Sequence, residues 1–409
     1  MKNKKIVFVI STLNTGGAQR ILSNLVSNAP NDWEIRLILN DTEDIVYPYK
    51  GNIIDLGIKS QRDKESLRYQ AEVFVKRYIK LRELKKKGDI SCVVSILESA
   101  NIVNVISGKK QCPIVAYVHS NLSQSAIRKA YKYLVNPIEK YTFKHFDYIV
   151  GVSQGVCDDL KKKHGCPANK TTAILNGYDV KEIREKAEEN IEFPERWQKS
   201  NNRLIAVGRL DGAKAFWHLI RAFREVKKKV PDSVLLVLGE GEDKEYLKSL
   251  SEKLGIQEDV VFMGFIKNPF PYIKESKALV VSSVFEGFPN SIAETLCLGV
   301  PCVSTDIESG PRELLAPDTP FDEHIREQIE ITPYGILTPK CDGIRYDEKV
   351  PPTREELLLA EGICKLLLDY TLYDSIKKNI PERVATLDVS NMVGQWHQLI
   401  DKLDRNREG

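Results

Sequence analysis

The sequence predicts an α/β chain built from two doubly wound parallel-sheet domains, on three observations. Its 409 residues exceed what one ordinary core holds and suit two. Short β-branched runs, apolar at successive positions as strands covered on both faces must be, alternate with segments of 3.6-residue apolar spacing. That alternation occurs twice, on either side of a charged stretch at residues 178–202 where an exposed linker belongs.

Taken in order, the first half places strands at Ile6–Ile10, Ile35–Leu39, Cys92–Ile96, Ile114–Val118 and Tyr148–Val152, with a further one ending at Leu175. The opening MKNKKIVFVI is basic then apolar, like a secretion signal. Its apolar run is short and β-branched, and Asn14 and Gly16 follow instead of a small-residue cleavage site, so it reads as the first core strand. Ile21, Leu22, Leu25 and Val26 give the next helix its inner face. Leu67, Ala71, Phe74, Tyr78 and Leu81 mark one face of a helix that also carries Lys76, Arg77, Lys80, Lys85, Lys86 and Lys87. A second basic segment has Ile127, Tyr131, Leu134 and Ile138 with Arg128, Lys129, Lys132 and Lys140. Such helices either dock on their sheet with a solvated basic face or touch an anionic surface. The second half places strands at Leu204–Val207, Val234–Leu238, Val260–Met263, Ala278–Ser282 and Pro301–Ser304, and Leu219, Ile220 and Phe223 mark a helix between the first two. Residues 315–333, ahead of the strand-like Tyr334–Leu337, read as an insertion.

Composition narrows the class. Apolar residues at 42% and charged residues at 29% exclude a disordered or fibrous chain, and no apolar run reaches the roughly 18–20 residues that span a bilayer. The eight cysteines, Cys92, Cys112, Cys157, Cys166, Cys297, Cys302, Cys341 and Cys364, form no CxxC pair, so reduced structural thiols in the cytoplasm are expected. Residues 1–150 hold 24 Lys and Arg against 14 Asp and Glu, whereas the remainder holds 36 against 43. The first half is the one to meet an anion. Nucleic acid is not expected, because no recognition module or aromatic–basic signature is present.

Three glycine turns sit where strands end and helices begin. Gly16-Gly17 can aim backbone N–H groups at an anion, or can serve packing alone. Gly208-Arg209-Leu210-Asp211-Gly212-Ala213-Lys214 places two cations at the carboxyl end of a strand, where open α/β sheets bind ligands; they suit a diphosphate or are solvated surface charges. Phe285-Glu286-Gly287-Phe288-Pro289-Asn290-Ser291-Ile292-Ala293-Glu294 sets two carboxylates around a Gly–Pro turn. Ser291 and Glu294 have capping-box spacing, which leaves Glu286 unexplained. Ser309-Gly310-Pro311-Arg312-Glu313 is a further turn with proline where a helix starts. A nicotinamide-dependent reading, resting on Asp41, fails for want of G-x-G-x-x-G.

Glu286-x7-Glu294, Gly208-Arg209-Leu210 with Lys214, Gly16-Gly17, Asn176-Gly177-Tyr178-Asp179 and His119, in that family's order along nearly the whole chain, resemble the retaining GT-B glycosyltransferases of family 4. The resemblance implies two Rossmann-like domains facing across a cleft. Residues 1–180 would bind acceptor and 181–384 nucleotide sugar, with a helix near 385–409 packed back on the first domain. It implies that Arg209 and Lys214 hold a diphosphate, that Glu294 accepts from ribose hydroxyls, and that Glu286 contacts the transferred sugar. Backbone at Gly287, Phe288, Asn290 and Ser291 would line sugar and phosphates, Gly264 and Phe265 would border the base, Gly16 and Gly17 would approach phosphate, and His119 would lie beside the sugar. Catalysis is thereby expected from Glu286, His119, Arg209 and Lys214, with neither cofactor nor metal, since no Asp-x-Asp occurs. Two departures stand out: Gln19 where the family usually has Glu, and Ala215 where it often has Gly.

The function so implied is retaining transfer of a hexose or N-acetylhexosamine, UDP-linked by family preference, to a lipid-linked or oligosaccharide acceptor in bacterial-type surface glycan synthesis. A catalytically silent nucleotide-sugar-binding partner subunit is the alternative. The setting is cytoplasmic, with peripheral contact to an anionic inner-membrane face through the basic first half.

Overall fold

A computed structural model describes residues 3–14, 16–58, 66–108, 111–125, 138 and 140–408. The chain forms two compact units, Met1–Tyr178 with Leu387–Gly409, and Asp179–Thr386.

The first unit carries a seven-stranded sheet: β1 (Lys4–Val9), β2 (Trp33–Leu39), β3 (Asn52–Asp55), β4 (Cys92–Ile96), β5 (Ile114–Val118), β6 (Tyr148–Gly151) and β7 (Thr171–Ala173). The order is β3-β2-β1-β4-β5-β6-β7 and every neighbouring pair is parallel. Strand order therefore reverses between β1 and β4, which makes their carboxyl ends a topological switch point. Central strands need apolar residues on both faces, and Ile6 to Val9, Val93, Val94 and Ile114 to Tyr117 are indeed enclosed. The helix Val389–Glu408 closes the unit: Trp396 packs edge-on against Tyr117 at 4.9 Å, and Lys4 pairs with Asp32 (3.4 Å) and Asp401.

The second unit repeats the plan with β8 (Arg203–Val207), β9 (Val234–Leu238), β10 (Val260–Gly264), β11 (Ala278–Val281), β12 (Cys302–Thr305), β13 (Glu330–Thr332) and β14 (Gly335–Thr338). The order is β10-β9-β8-β11-β12-β14-β13, parallel except for the antiparallel β13–β14 edge. Its switch point lies between β8 and β11. All eight cysteines are buried and unbridged.

Four expectations change. The four-residue β3 and three-residue β13 are sheet-edge strands too short for a period-2 pattern to register, and the strand expected to end at Leu175 is the three-residue edge strand β7, which ends at Ala173. The stretch 178–202 is not a bare linker. It folds into helices Val180–Lys186 and Glu195–Gln198, with Ile183 and Trp197 buried and Phe193 stacked on Trp197 at 5.3 Å. Three apolar anchors outweigh the charges that surround them in sequence.

The helix Leu67–Lys86 turns the other way from the expected stripe. Its inner face is Tyr69, Val73, Arg77, Leu81, Leu84 and Lys85, while Leu67, Phe74, Val75 and Ile79 are exposed. Two cations go inside because neutral oxygens meet them; Lys85 donates to Asn104 O (2.6 Å) and Oδ1 (2.9 Å), and burial lowers its pKa to about 8. Ile127, Arg128, Lys129, Tyr131, Lys132 and Leu134 of the second basic segment lie outside the described residues; Ile138 and Lys140 are exposed.

Finally, the insertion 315–333 is an ordered strap. Arg312 pairs with Asp306 (2.7 Å) and with Glu330 of the strap (2.6 Å), and His324 and the Ile325 N–H also reach Asp306 (3.4 and 3.0 Å). Burial alone would raise the Asp306 pKa, yet these partners hold it below the ordinary carboxylate value.

Candidate functional site

The carboxyl edge of the second sheet gathers most of the sequence-marked residues. After β8 the chain turns tightly because Asp211 Oδ1 accepts the N–H groups of Ala213 (3.1 Å) and Lys214 (3.2 Å). Ala215 then takes the left-handed backbone (φ 46°, ψ 45°) ahead of the helix Phe216–Lys229. Glycine adopts that conformation without strain and alanine does not, which gives a physical reason for glycine at this position in the family pattern.

After β11, Val284 N–H donates to Ala213 O (2.9 Å) and Ser282 Oγ to Lys214 O (3.0 Å), stitching together the two loops that flank the switch point. Lys214 Nζ reaches across to Glu286 Oε1, which Ser283 Oγ also contacts at 2.8 Å. Gly208 makes room for the lysine: a Cβ there would lie 2.9 Å from Lys214 Cε. The Glu286 carbonyl accepts from Ser309 Oγ, and Gly310 (φ 97°) backs the turn so closely that a Cβ would sit 2.2 Å from Pro289 Cδ. Gly310 N–H donates to Glu313 Oε1 (3.4 Å) as Pro311 opens the next helix.

Phe288, Ser291 and Glu294 are buried beside this turn, and Gly287 and Asn290 are partly exposed. The capping box expected at Ser291 and Glu294 does not form. The helix Asn290–Cys297 starts two residues earlier than that cap requires, with Pro289 at its N-cap and no side-chain cap, and Ser291 Oγ is enclosed without a partner. A cation and a carboxylate side by side at a strand-end crevice can neutralise an anionic leaving group and accept from hydroxyls.

Arg209 behaves differently from Lys214. Its side chain is 81% exposed and pairs with Asp211 at 3.0 Å. So exposed a pair contributes about 0–1 kcal/mol, little enough for a diphosphate bound by bidentate bonds to displace Asp211. Gly264 (φ 74°) ends β10 and Phe265 beside it is exposed.

Sequence reading passed over Gly239-Glu240-Gly241. Gly239 N–H donates to Gly264 O (2.8 Å), and a Cβ on Gly239 or Gly241 would fall 1.8 Å from Gly208 O or 2.2 Å from Leu210 O. These glycines let the ends of β8, β9 and β10 lie flush; the Gly-x-Gly after Val234–Leu238 was the available signal.

In the first unit, Gly16 (φ 145°) precedes the helix Gly17–Ser27 at the end of β1, and a Cβ there would crowd the Gln19 amide. His119 follows β5, its ring 4.1 Å from that of Tyr117. Its Nε2 is enclosed without a partner, and burial lowers the pKa to about 3, so the imidazole is neutral near pH 7. Among the described residues no group of three or more His, Cys, Asp or Glu could hold a metal ion, and no helix is long and apolar enough to cross a membrane.

Comparison with known proteins shows the family and the fold. The family described as Glycosyltransferase Family 4 matches residues 15–182, and that described as Glycosyl transferases group 1 matches residues 187–320. An uncharacterised glycosyltransferase of Methanocaldococcus jannaschii is 31% identical over 312 residues, covering 75% of this chain and 76% of the relative. An N-acetylgalactosamine-N,N'-diacetylbacillosaminyl-diphospho-undecaprenol 4-alpha-N-acetylgalactosaminyltransferase of Campylobacter jejuni is 29% identical over 327 residues, covering 77% and 84%. The crystal structure of Anabaena HepE with UDP and glucose superposes with a TM-score of 0.71 at 17% identity, over 98% of this chain and 100% of that one.

Proposed function

From the premise that this chain belongs to the group 1 glycosyltransferases and has the GT-B fold, we propose that it moves a hexose or N-acetylhexosamine from a UDP-sugar to a hydroxyl of a lipid-linked or oligosaccharide acceptor, with retention of anomeric configuration. The observation that carries this reading is the Lys214–Glu286 pair at the switch point of the second sheet. In it, Lys214 and Arg209 take the diphosphate, Glu286 accepts from the transferred sugar, and Glu294 accepts from the ribose hydroxyls. The backbone at Gly287, Phe288, Asn290 and Ser291 lines sugar and phosphates, and Gly264 and Phe265 border the base. The Campylobacter relative, named for a diphospho-undecaprenol substrate, supports the lipid-linked acceptor, and the UDP held by the Anabaena neighbour supports the donor.

The chemistry is front-face displacement. The bond from the anomeric carbon to the diphosphate oxygen breaks, both electrons leave with the diphosphate, and the acceptor oxygen bonds to carbon on the same face as its proton passes to the departing diphosphate oxygen. Negative charge grows on the leaving group, so preorganised positive charge is the main catalytic contribution. Lys214, Arg209 and the turn amides supply it without a metal. UDP at 100 times its Kd should stabilise the protein by about 2.7 kcal/mol, and transfer should survive EDTA. A melting temperature that ignores every nucleotide and nucleotide sugar tried contradicts donor binding; loss of turnover on chelation contradicts the metal-free assignment alone.

The exposed stripe Leu67, Phe74, Val75 and Ile79, edged by Arg68, Arg82 and Lys86, suits the interface of an anionic bilayer. Each basic residue near such a surface contributes about 1 kcal/mol. Flotation with liposomes should therefore recover the protein better when anionic lipid is present; equal recovery with neutral liposomes rejects this electrostatic contact.

A further inference from the structure

The switch point of the first sheet holds a buried charge that no role above uses. Arg77, 1% exposed, lies beneath the carboxyl ends of β1 and β4. It donates from Nε to Asn40 Oδ1 (3.1 Å), from Nη1 to Ser99 Oγ (2.9 Å) and from Nη2 to Ser11 Oγ (3.1 Å). All three acceptors are neutral, and among the described residues no carboxylate offsets the guanidinium. Buried charges are normally paired, because desolvation without a counter-charge is costly. Burial lowers the Arg77 pKa only to about 10, so the group stays charged near neutrality.

The two serines convert that charge into a surface. A hydroxyl whose oxygen accepts from a guanidinium keeps its own O–H to donate elsewhere. Ser99 is exposed and Ser11 partly so, which sets both residues at the solvent edge with the cation behind them. Ser11 follows β1, and Ser99 lies in the first turn of the helix Glu98–Ile106 after β4, on either side of the crevice where open α/β sheets take ligands. Leu97, which leads into that helix, has φ 76° and ψ 156°, a backbone region that glycine alone enters without strain. Strain of this kind concentrates where geometry serves a ligand. The excess of Lys and Arg in residues 1–150 has the same sign.

We propose that the hydroxyls of Ser11 and Ser99, backed by Arg77, form a subsite for a phosphate group carried by the acceptor. Ser11 and Ser99 donate to two phosphate oxygens, and Arg77 supplies the missing counter-charge through them. Naming the ligand as acceptor rests on the transferase reading above; the subsite itself rests on the first unit alone.

Crystals of the full chain soaked in tungstate, a phosphate mimic, should show anomalous density within hydrogen-bond reach of Ser11 and Ser99. In solution, with UDP saturating the donor side, Ser99→Ala should weaken binding of inorganic phosphate by about tenfold, as for a lost hydrogen bond to a charged group. Arg77→Met should weaken it further; because that variant removes a buried group, its circular-dichroism melt is recorded alongside, and Ser99→Ala decides the matter if it unfolds. Geranyl diphosphate and glucose 1-phosphate serve as separate titrants. Tighter binding of either supports the subsite and tells a lipid-linked phosphate from a sugar phosphate. Tungstate only near Lys214, or equal phosphate affinity in wild type and Ser99→Ala, overturns the subsite. UDP binding measured in the same samples keeps that failure separate from failure of the donor reading.

Discussion

Replacing Lys214 with alanine is expected to lower kcat by about 10²–10³-fold, the range seen when one preorganised donor to a developing negative charge is removed. The diphosphate bears more charge as it departs than while attached, so the ammonium stabilises the transition state more than the bound donor. The loss should therefore fall on kcat and kcat/KM together, with a smaller change in the KM for nucleotide sugar. Lys214→Arg tests geometry as well as charge. Lys214 crosses to Glu286 over a glycine that leaves no spare room, and a planar guanidinium is not a compact ammonium. Steady-state kinetics on purified variants, with melting temperatures as the folding control, give the answer; unaltered turnover in Lys214→Ala removes the lysine from the chemistry.

Glu356→Ala is expected to be the most destabilising single change outside the sheets, at about 3–5 kcal/mol, the cost of leaving a buried charge without its partner. Glu356 is fully enclosed and serves three groups. Its Oε1 accepts from His218 Nδ1 (2.7 Å) and Arg221 Nε (2.8 Å), and its Oε2 closes a capping box with the Thr353 N–H (2.9 Å). Arg221 also donates from Nη1 and Nη2 to the carbonyls of Asp347, Val350 and Pro351 (2.9–3.0 Å), which hold it inside once the carboxylate is gone. In a unit of this size 1 kcal/mol shifts the melting point by about 2–4 °C, so a loss of at least 6 °C should appear by calorimetry. Glu356→Gln, which keeps the cap but not the charge, should fall between. A melting point within a degree of wild type shows that the cluster relaxes at no cost.

Much of this molecule is legible in its sequence. The central strands of both sheets were readable because burial on two faces forces an uninterrupted apolar run, as at Ile6–Val9 and Val234–Leu238. The short edge strands β3 and β13 were not, since a strand of three or four residues with one neighbour needs no such run. Lys214 and Glu286 could be singled out from their glycine turns, but their contact could not, being 72 residues apart in sequence. Arg77 was read as one more basic residue on a face that is either solvated or set against an anionic surface; only the fold shows that it is buried and that Ser11, Asn40 and Ser99 converge on it.

Local pattern thus determined which segments become strands and helices and which turns carry charge, because backbone preference and burial act over a few residues. Tertiary structure alone decided which way the Leu67–Lys86 helix faces, why Trp197 lies inside a charged stretch, and what the strap 315–333 holds. Those outcomes depend on pairing charge and excluding water across tens to hundreds of residues, and no short window of sequence records them.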